Sequence, residues 1–172
     1  SSSAHIHKKA RTVSESFCFV TKDTPLKDLL SVVTWQWVLG INTLTTLSVQ
    51  NEQSLENQCV LNDYTARLSC LLTAGDFVAD VAVLYPIASV WADFIPIKET
   101  VWDFDRNPKA KRVDDCWQTI SRELLANQRD FDYVDEESII GATIKEGRMI
   151  INKQRYRIIV LPNTTTLKMR TL

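Results

Sequence analysis

Near the middle of the chain, residues 80–85 read Asp-Val-Ala-Val-Leu-Tyr, and Pro86 follows at once. An apolar run this short, closed by a residue that cannot donate to a sheet ladder, predicts a strand buried on both faces. Such strands belong to parallel sheets. Parallel strands are joined by long crossovers, usually helices, so the sequence around this strand has to supply them.

Downstream it does. Asp114 is placed to cap a helix with Trp117, Ile120, Leu124 and Leu125 on one face. Residues 131–134 read as a strand, 136–140 as a short helix, and 149–151 and 156–161 (YRIIVL) as strands around a turn near Asn152-Lys153. Pro162 ends the last strand, and the residues running to Leu172 look like the start of another helix. This β-α-β-α-β order is half of a doubly wound sheet. Residues 87–113 hold Trp91, Phe94, Trp102 and Phe104 without a regular period and read as a long loop.

Upstream, residues 1–10 are polar and irregular, and residues 12–20 (TVSESFCFV) alternate as a strand does. Thr24 and Pro25 suit an N-cap and first helical position, and Leu26, Leu29, Leu30, Val33 and Trp37 follow at helical spacing until Gly40. Residues 41–49 read as a second strand and 50–58 as a loop. Asp63 can cap a helix carrying Tyr64, Leu68, Leu71 and Leu72, with Gly75 ending it. The chain therefore divides into residues 1–75, two βα units, and 76–172, a partial α/β domain. Two βα units cannot close a sheet and need neighbours on an edge.

The 172 residues are 45% hydrophobic, enough for a real core. The formal charge of -1 leaves no electrostatic footprint for nucleic acid or an anionic membrane. The basic runs at Lys8, Lys9 and Arg11 and at Lys109, Lys111 and Arg112 read as solvated loops. No apolar run approaches the ~20 residues that span a bilayer. Cys18, Cys59, Cys70 and Cys116 form no CxxC pair, and Cys70 and Cys116 read as buried thiols in helices. With 4 glycines and no phosphate-binding or G-x-S-x-G motif, neither a dinucleotide site nor a nucleophile elbow is expected.

Several of these stretches together carry a resemblance. Residues 80–87 (DVAVLYPI) with Ser89 and Trp91, then Leu124, then 130–134 (DFDYV) and 156–162 (YRIIVLP), resemble the domain that follows the catalytic barrel in large bacterial glycoside hydrolases. The likeness is to the family 106 α-L-rhamnosidase type, and family 42 β-galactosidases carry a similar domain. That domain is similar to a class I glutamine amidotransferase without its catalytic residues. Residues 4–9 and 13–17 (VSESF) look like the seventh barrel strand with its lead-in, and 40–42 (GIN) like the start of the eighth. The fold class implied is α/β: the last two βα units of a TIM-type barrel, then a partial flavodoxin/glutamine-amidotransferase-like doubly wound parallel sheet. The chain departs from the family where residues 45–58 are short and hold no His or aromatic residue, which counts against sugar binding at that edge.

Glu15 is the catalytic candidate. It falls near the end of a barrel strand, where such enzymes place their chemistry. Glycoside hydrolysis needs two carboxyl groups, one protonating the leaving oxygen and one acting as base or nucleophile. The resemblance makes Glu15 the second of these, and its family 106 form leans towards inversion, with Glu15 activating water. The partner acid would come from an earlier strand outside this sequence. The bland alternative is a solvated strand-edge Glu.

His5 and His7 share one face if they lie in a strand, where they can bind a metal, contact substrate, or simply be surface residues. His5 is the substrate-binding candidate of the two. Trp91, with Trp102, can stack on a sugar or plug a domain junction. Asp130, Asp132, Asp135, Glu136 and Glu137 can hold a cation or serve as strand-end and helix-start charges. Asn163-Thr164-Thr165 matches a glycosylation sequon, incidental for a bacterial relative. No cofactor is expected from the residues themselves. Calcium is implied by the resemblance alone, with no ligands assigned.

The leading expectation is thus a piece of a secreted or periplasmic glycosidase. Its partners would be a carbohydrate substrate and the rest of the parent polypeptide, with no nucleic acid or membrane partner. A non-catalytic α/β packing or oligomerisation module, taking a second copy as partner, is the alternative. A small-molecule-binding domain ranks third. Alone, the chain is expected to be inactive and marginally stable.

Overall fold

The computed structural model describes residues 1–95 and 107–172 of an α/β protein. It forms two compact units, Ser1–Phe77 and Val78–Leu172.

The first unit opens with helix α1 (Ser2–Ile6), where the sequence suggests irregular chain. Strand β1 (Val13–Ser16) is shorter than the alternation of residues 12–20 implies, because Phe17 adopts a φ of 66° and turns the chain into the core. Helix α2 (Leu26–Val38) begins one residue later than expected: Pro25 is the N-cap, and the Thr24 hydroxyl accepts from the Thr21 amide instead of capping. Strand β2 (Thr43–Thr46) pairs with β1 in parallel, with Glu15 opposite Thr45.

The stretch expected to be a loop is helical. Short helix α3 (Val49–Glu52) is followed by helix α4 (Leu55–Thr73). Ser54, not Asp63, caps α4 by accepting from the Asn57 amide at 3.2 Å. Asp63 sits mid-helix and pairs with Arg67 at 2.9 Å. The polar composition of 50–58 conceals this start because one of its amides, Gln53, turns inward. Gln53 is buried and donates to the Thr21 and Thr24 carbonyls. The core joins Val20, Leu29, Val33, Trp37, Val49 and Leu61. Cys70, expected to be buried, is exposed.

Gly40 and Gly75 lie just past their helices with φ of 88° and 99°, as helix-terminating glycines do. Gly40 is constrained twice, since a Cβ there would stand 2.7 Å from the His5 ring nitrogen Nε2.

In the second unit, β3 (Val81–Leu84) is buried at every position, as its composition demands. Residues 87–93 form helix α5 (Ile87–Asp93) where a loop was expected. Helix α6 (Pro108–Ala126) starts with Pro108 at its first turn, so Asp114 lies inside it and accepts from Gln118 instead of capping. Strand β4 (Phe131–Val134) and helix α7 (Glu136–Ile140) match their sequence signals.

An antiparallel sheet follows, made of β5 (Thr143–Lys145), β6 (Arg148–Ile151) and β7 (Gln154–Tyr156). Strand β5 was not expected. Its signal is Glu146-Gly147, whose φ of 54° and 70° suit a two-residue hairpin between paired Lys145 and Arg148. The apparent strand 156–161 is two pieces. Tyr156 pairs with Met149 in the antiparallel sheet, whereas β8 (Ile158–Val160) joins β3 in the parallel one. That sheet runs β4-β3-β8, all parallel. The residues to Leu172 form turns rather than the helix expected there. Among the described residues no helix is long and apolar enough to cross a membrane.

Replacing Gly40 by Ala should destabilise the first unit by at least ~1–2 kcal/mol, because an L-residue is strained at positive φ and the methyl also displaces His5. Urea unfolding followed by tryptophan fluorescence measures it, and an unchanged midpoint would show that neither constraint operates.

Candidate functional site

Glu15 lies one residue from the carboxyl end of β1. Side chains alternate across a strand, so its neighbours fix where it points. Ser16 is buried and exchanges hydrogen bonds with Gln36 of α2, and Ser14 contacts Ser16 at 3.0 Å. The even-numbered face is therefore the helix-covered one. Val13 and Glu15 occupy the other face, and Val13 is 59% exposed. Glu15 is exposed too and forms no hydrogen bond or ion pair among the described residues. Its register partner Thr45 is likewise exposed.

Thr45 also borders a groove of about 390 Å³ alongside β2 and α4. Thr46, Gln50, Asn62 and Thr65 complete its polar lining, and no ionisable side chain reaches it. This groove offers neutral hydrogen bonds and cannot supply acid–base chemistry.

His5 stacks on Phe77 with ring centroids 4.2 Å apart and planes 18° from parallel. It lies in α1, so the strand geometry that would bring His5 and His7 to one face does not exist. Two residues apart on a helix, the rings diverge by ~200°. His7 is exposed, and His5 is held as a packing residue beside Gly40.

Trp91, in α5, is 72% exposed. Trp102 and Phe104 lie outside the described residues.

The acidic cluster does not converge. Asp132 is fully buried on β4 and accepts from the Tyr156 hydroxyl at 3.0 Å. Asp135 caps α7 through the Ser138 amide at 2.7 Å. Glu137 pairs with Lys168. Glu136 is buried and accepts from the Lys168 amide at 2.6 Å and the Thr171 hydroxyl at 2.8 Å. Each carboxylate is spent on a different task. Among the described residues, no three His, Cys, Asp or Glu side chains come together as a metal site.

Two buried polar groups carry no sequence signal. Ser89 has no exposed surface, and its hydroxyl donates to the Thr166 carbonyl and accepts from the Thr165 and Thr166 amides, each at 3.0–3.1 Å. Tyr156 is the other. Ala82, the register partner of Asp132 on the intervening strand, is small enough to leave room for the Tyr156–Asp132 bond. On the other face of β4, Trp117 packs between Tyr85 and Tyr133, and the Tyr133 hydroxyl donates to Ser121. Burial pushes the Tyr133 hydroxyl pKa up, and its hydrogen bond with Ser121 offsets this only in part.

The sequence matches no family model and no curated protein.

Burial, and then the neighbouring Asp132 carboxylate, push the Tyr156 hydroxyl well above its ordinary value of 10.0. A phenol harder to ionise when folded contributes stability that is intact below pH 10 and fades as pH rises towards its folded value. Alkaline titration of unfolding free energy above pH 10 should therefore show a downward limb that flattens in Tyr156→Phe. The variant should also lose ~1–3 kcal/mol near neutrality, because it removes a buried hydrogen bond to a carboxylate. Identical limbs in both proteins would exclude Tyr156 as the source.

Proposed function

We propose that the chain is part of a glycoside hydrolase of the α-L-rhamnosidase type, with its first unit supplying two βα units to a catalytic TIM-type barrel and Glu15 serving as catalytic carboxylate. The observation that carries this reading is the placement of Glu15. It sits at the carboxyl end of a parallel strand, on the face turned away from α2, with no partner among the described residues. In a βα barrel that face lines the interior and that end holds the active site. The pairing supports it too. A two-stranded parallel sheet with an open face and two open edges buries too little to be a finished layer.

Within that reading Glu15 is the base that activates water, and the acid comes from another strand of the barrel. The described residues bring no second carboxylate into contact with Glu15. Calcium stays an implication of the resemblance, and the described residues gather no ligand set for it. His5 is a support for the lead-in to β1 rather than a sugar contact, because Phe77 occupies one ring face and Gly40 lies close beside the ring. Trp91 is free to stack on a sugar ring or another domain.

A second reading concerns the second unit, as a packing or oligomerisation module. What favours it over small-molecule binding is that the chain's own residues fill the carboxyl end of its sheet, where open α/β sheets bind ligands.

In the full-length parent protein, Glu15→Gln should lower kcat on aryl rhamnosides by roughly 10²–10⁴-fold with little change in KM. Undiminished turnover would end the proposal. The 172-residue chain alone should turn over no aryl glycoside. Turnover abolished by the same substitution would mean that a second carboxylate within the chain completes the site.

A further inference from the structure

Three parallel strands of the second unit end side by side. β3 runs into α5, which carries Ser89, and β4 runs into α7, which begins with Glu136. β8 runs into Pro162, which is fully buried, and from there the chain turns back over the other two. Its residues 165–171 engage both Ser89 and Glu136.

The chemistry of the contact is that of a bound peptide. Ser89 and Glu136 are buried polar groups, at 0% and 6% exposure, and every hydrogen bond of their side chains goes to this segment. Four of the five contacts are to main chain: the Thr165, Thr166 and Lys168 amides and the Thr166 carbonyl. Only the Thr171 hydroxyl on Glu136 and the Lys168 ammonium on Glu137 read side chains.

The segment itself has neither helix nor strand, and Met169 and Leu172 are 86% and 90% exposed. Apart from half-buried Leu167, it is held by hydrogen bonds and one ion pair. Pieces held that way open at a fraction of the global unfolding free energy.

We propose that residues 163–172 act as an intramolecular ligand, and that the crevice formed by Ser89, Glu136 and Glu137 is a docking site for an extended peptide carrying Lys-x-x-Thr or Lys-x-x-Ser. This goes beyond the glycosidase reading and does not depend on it. In the closed state the chain's own segment occupies the site. A peptide of the same pattern, from this chain or another, competes for it.

The test keeps the site intact and loosens the segment. Thr166→Pro with Lys168→Pro, in the whole chain, removes two of the amide donors and leaves Ser89, Glu136 and Glu137 untouched. The probe is a synthetic decapeptide of residues 163–172. It should bind the double variant at micromolar to millimolar concentration and the parent chain ~10-fold more weakly, since there the site is filled. The same decapeptide with Pro at both positions should bind neither. In the parent chain, the amides of Thr165, Thr166 and Lys168 should exchange with solvent at least ~10-fold faster than those of β3. Exchange of those amides only through global unfolding would show that the segment is an integral part of the fold, and so would loss of folding in the double variant. A folded variant that ignores the native decapeptide would equally overturn the proposal.

Discussion

A parallel strand pair cannot be closed by a tight turn, so the chain must travel the length of the sheet and return before the second strand can pair. β1 and β2 are separated by α2, and β3 and β4 by α5 and α6. Between β4 and β8 come α7 and the antiparallel sheet. This constraint decides where polar side chains can gather. All carboxyl ends of a parallel sheet lie on one side, and each is followed by a fresh loop or helix start. Glu15, Ser89 and Glu136 are all at such ends, for this reason rather than by coincidence of sequence.

The buried polar groups follow from the same arrangement. β3 is buried along its whole length, and Asp132 on the neighbouring β4 is fully buried too, so its carboxylate needs partners from the protein. Asp132 obtains one from Tyr156, which reaches it because the chain leaves the antiparallel sheet just before entering β8. Arg148 adds a 2.7 Å ion pair to Asp80, tying the hairpin to the lead-in of β3. The exposed ion pair adds little on its own. The buried phenol–carboxylate bond is the part that favours one register, since a slip would break a hydrogen bond between two buried groups.

Legibility in the sequence tracked how local the signal was. Val81–Leu84, Phe131–Val134 and Glu136–Ile140 could be read because their patterns are complete within a few residues. Gly40 and Gly75 were equally plain as helix ends. What failed depended on distant partners. The polar run 50–58 hides two helices because Gln53 satisfies carbonyls some thirty residues away. The stretch 156–161 looks continuous because nothing local shows that its two halves belong to different sheets. Among the site residues, Glu15 could be placed at a strand end, but its orientation needed the Ser16–Gln36 bonds. Ser89 and Glu136 were visible only as part of the resemblance and of the acidic cluster, because the partners that define their roles lie more than thirty residues further on. The paired histidines misled because their spacing has opposite meanings in a strand and a helix.

The two carboxyl-end edges, each taken within its own unit, have opposite characters. In the second unit the edge is filled: its buried hydroxyl and carboxylate already hold partners, and any incoming group must first displace a chain segment. In the first unit the edge is open, and its one carboxylate faces away from the covering helix with nothing to neutralise or orient it. Hydrolysis of a glycosidic bond needs a second carboxyl group at a fixed separation, roughly 5–9.5 Å depending on stereochemical outcome. That distance is about one or two strand spacings, each ~4.8 Å across a sheet. In the proposed barrel, a partner acid could come from a strand near β1 or from one facing it across the interior. β2 offers only Thr43 and Thr45 on the face of Glu15. In the proposed barrel the acid would thus come from a strand beyond this pair, and the open face and free edges of β1 and β2 leave room for one.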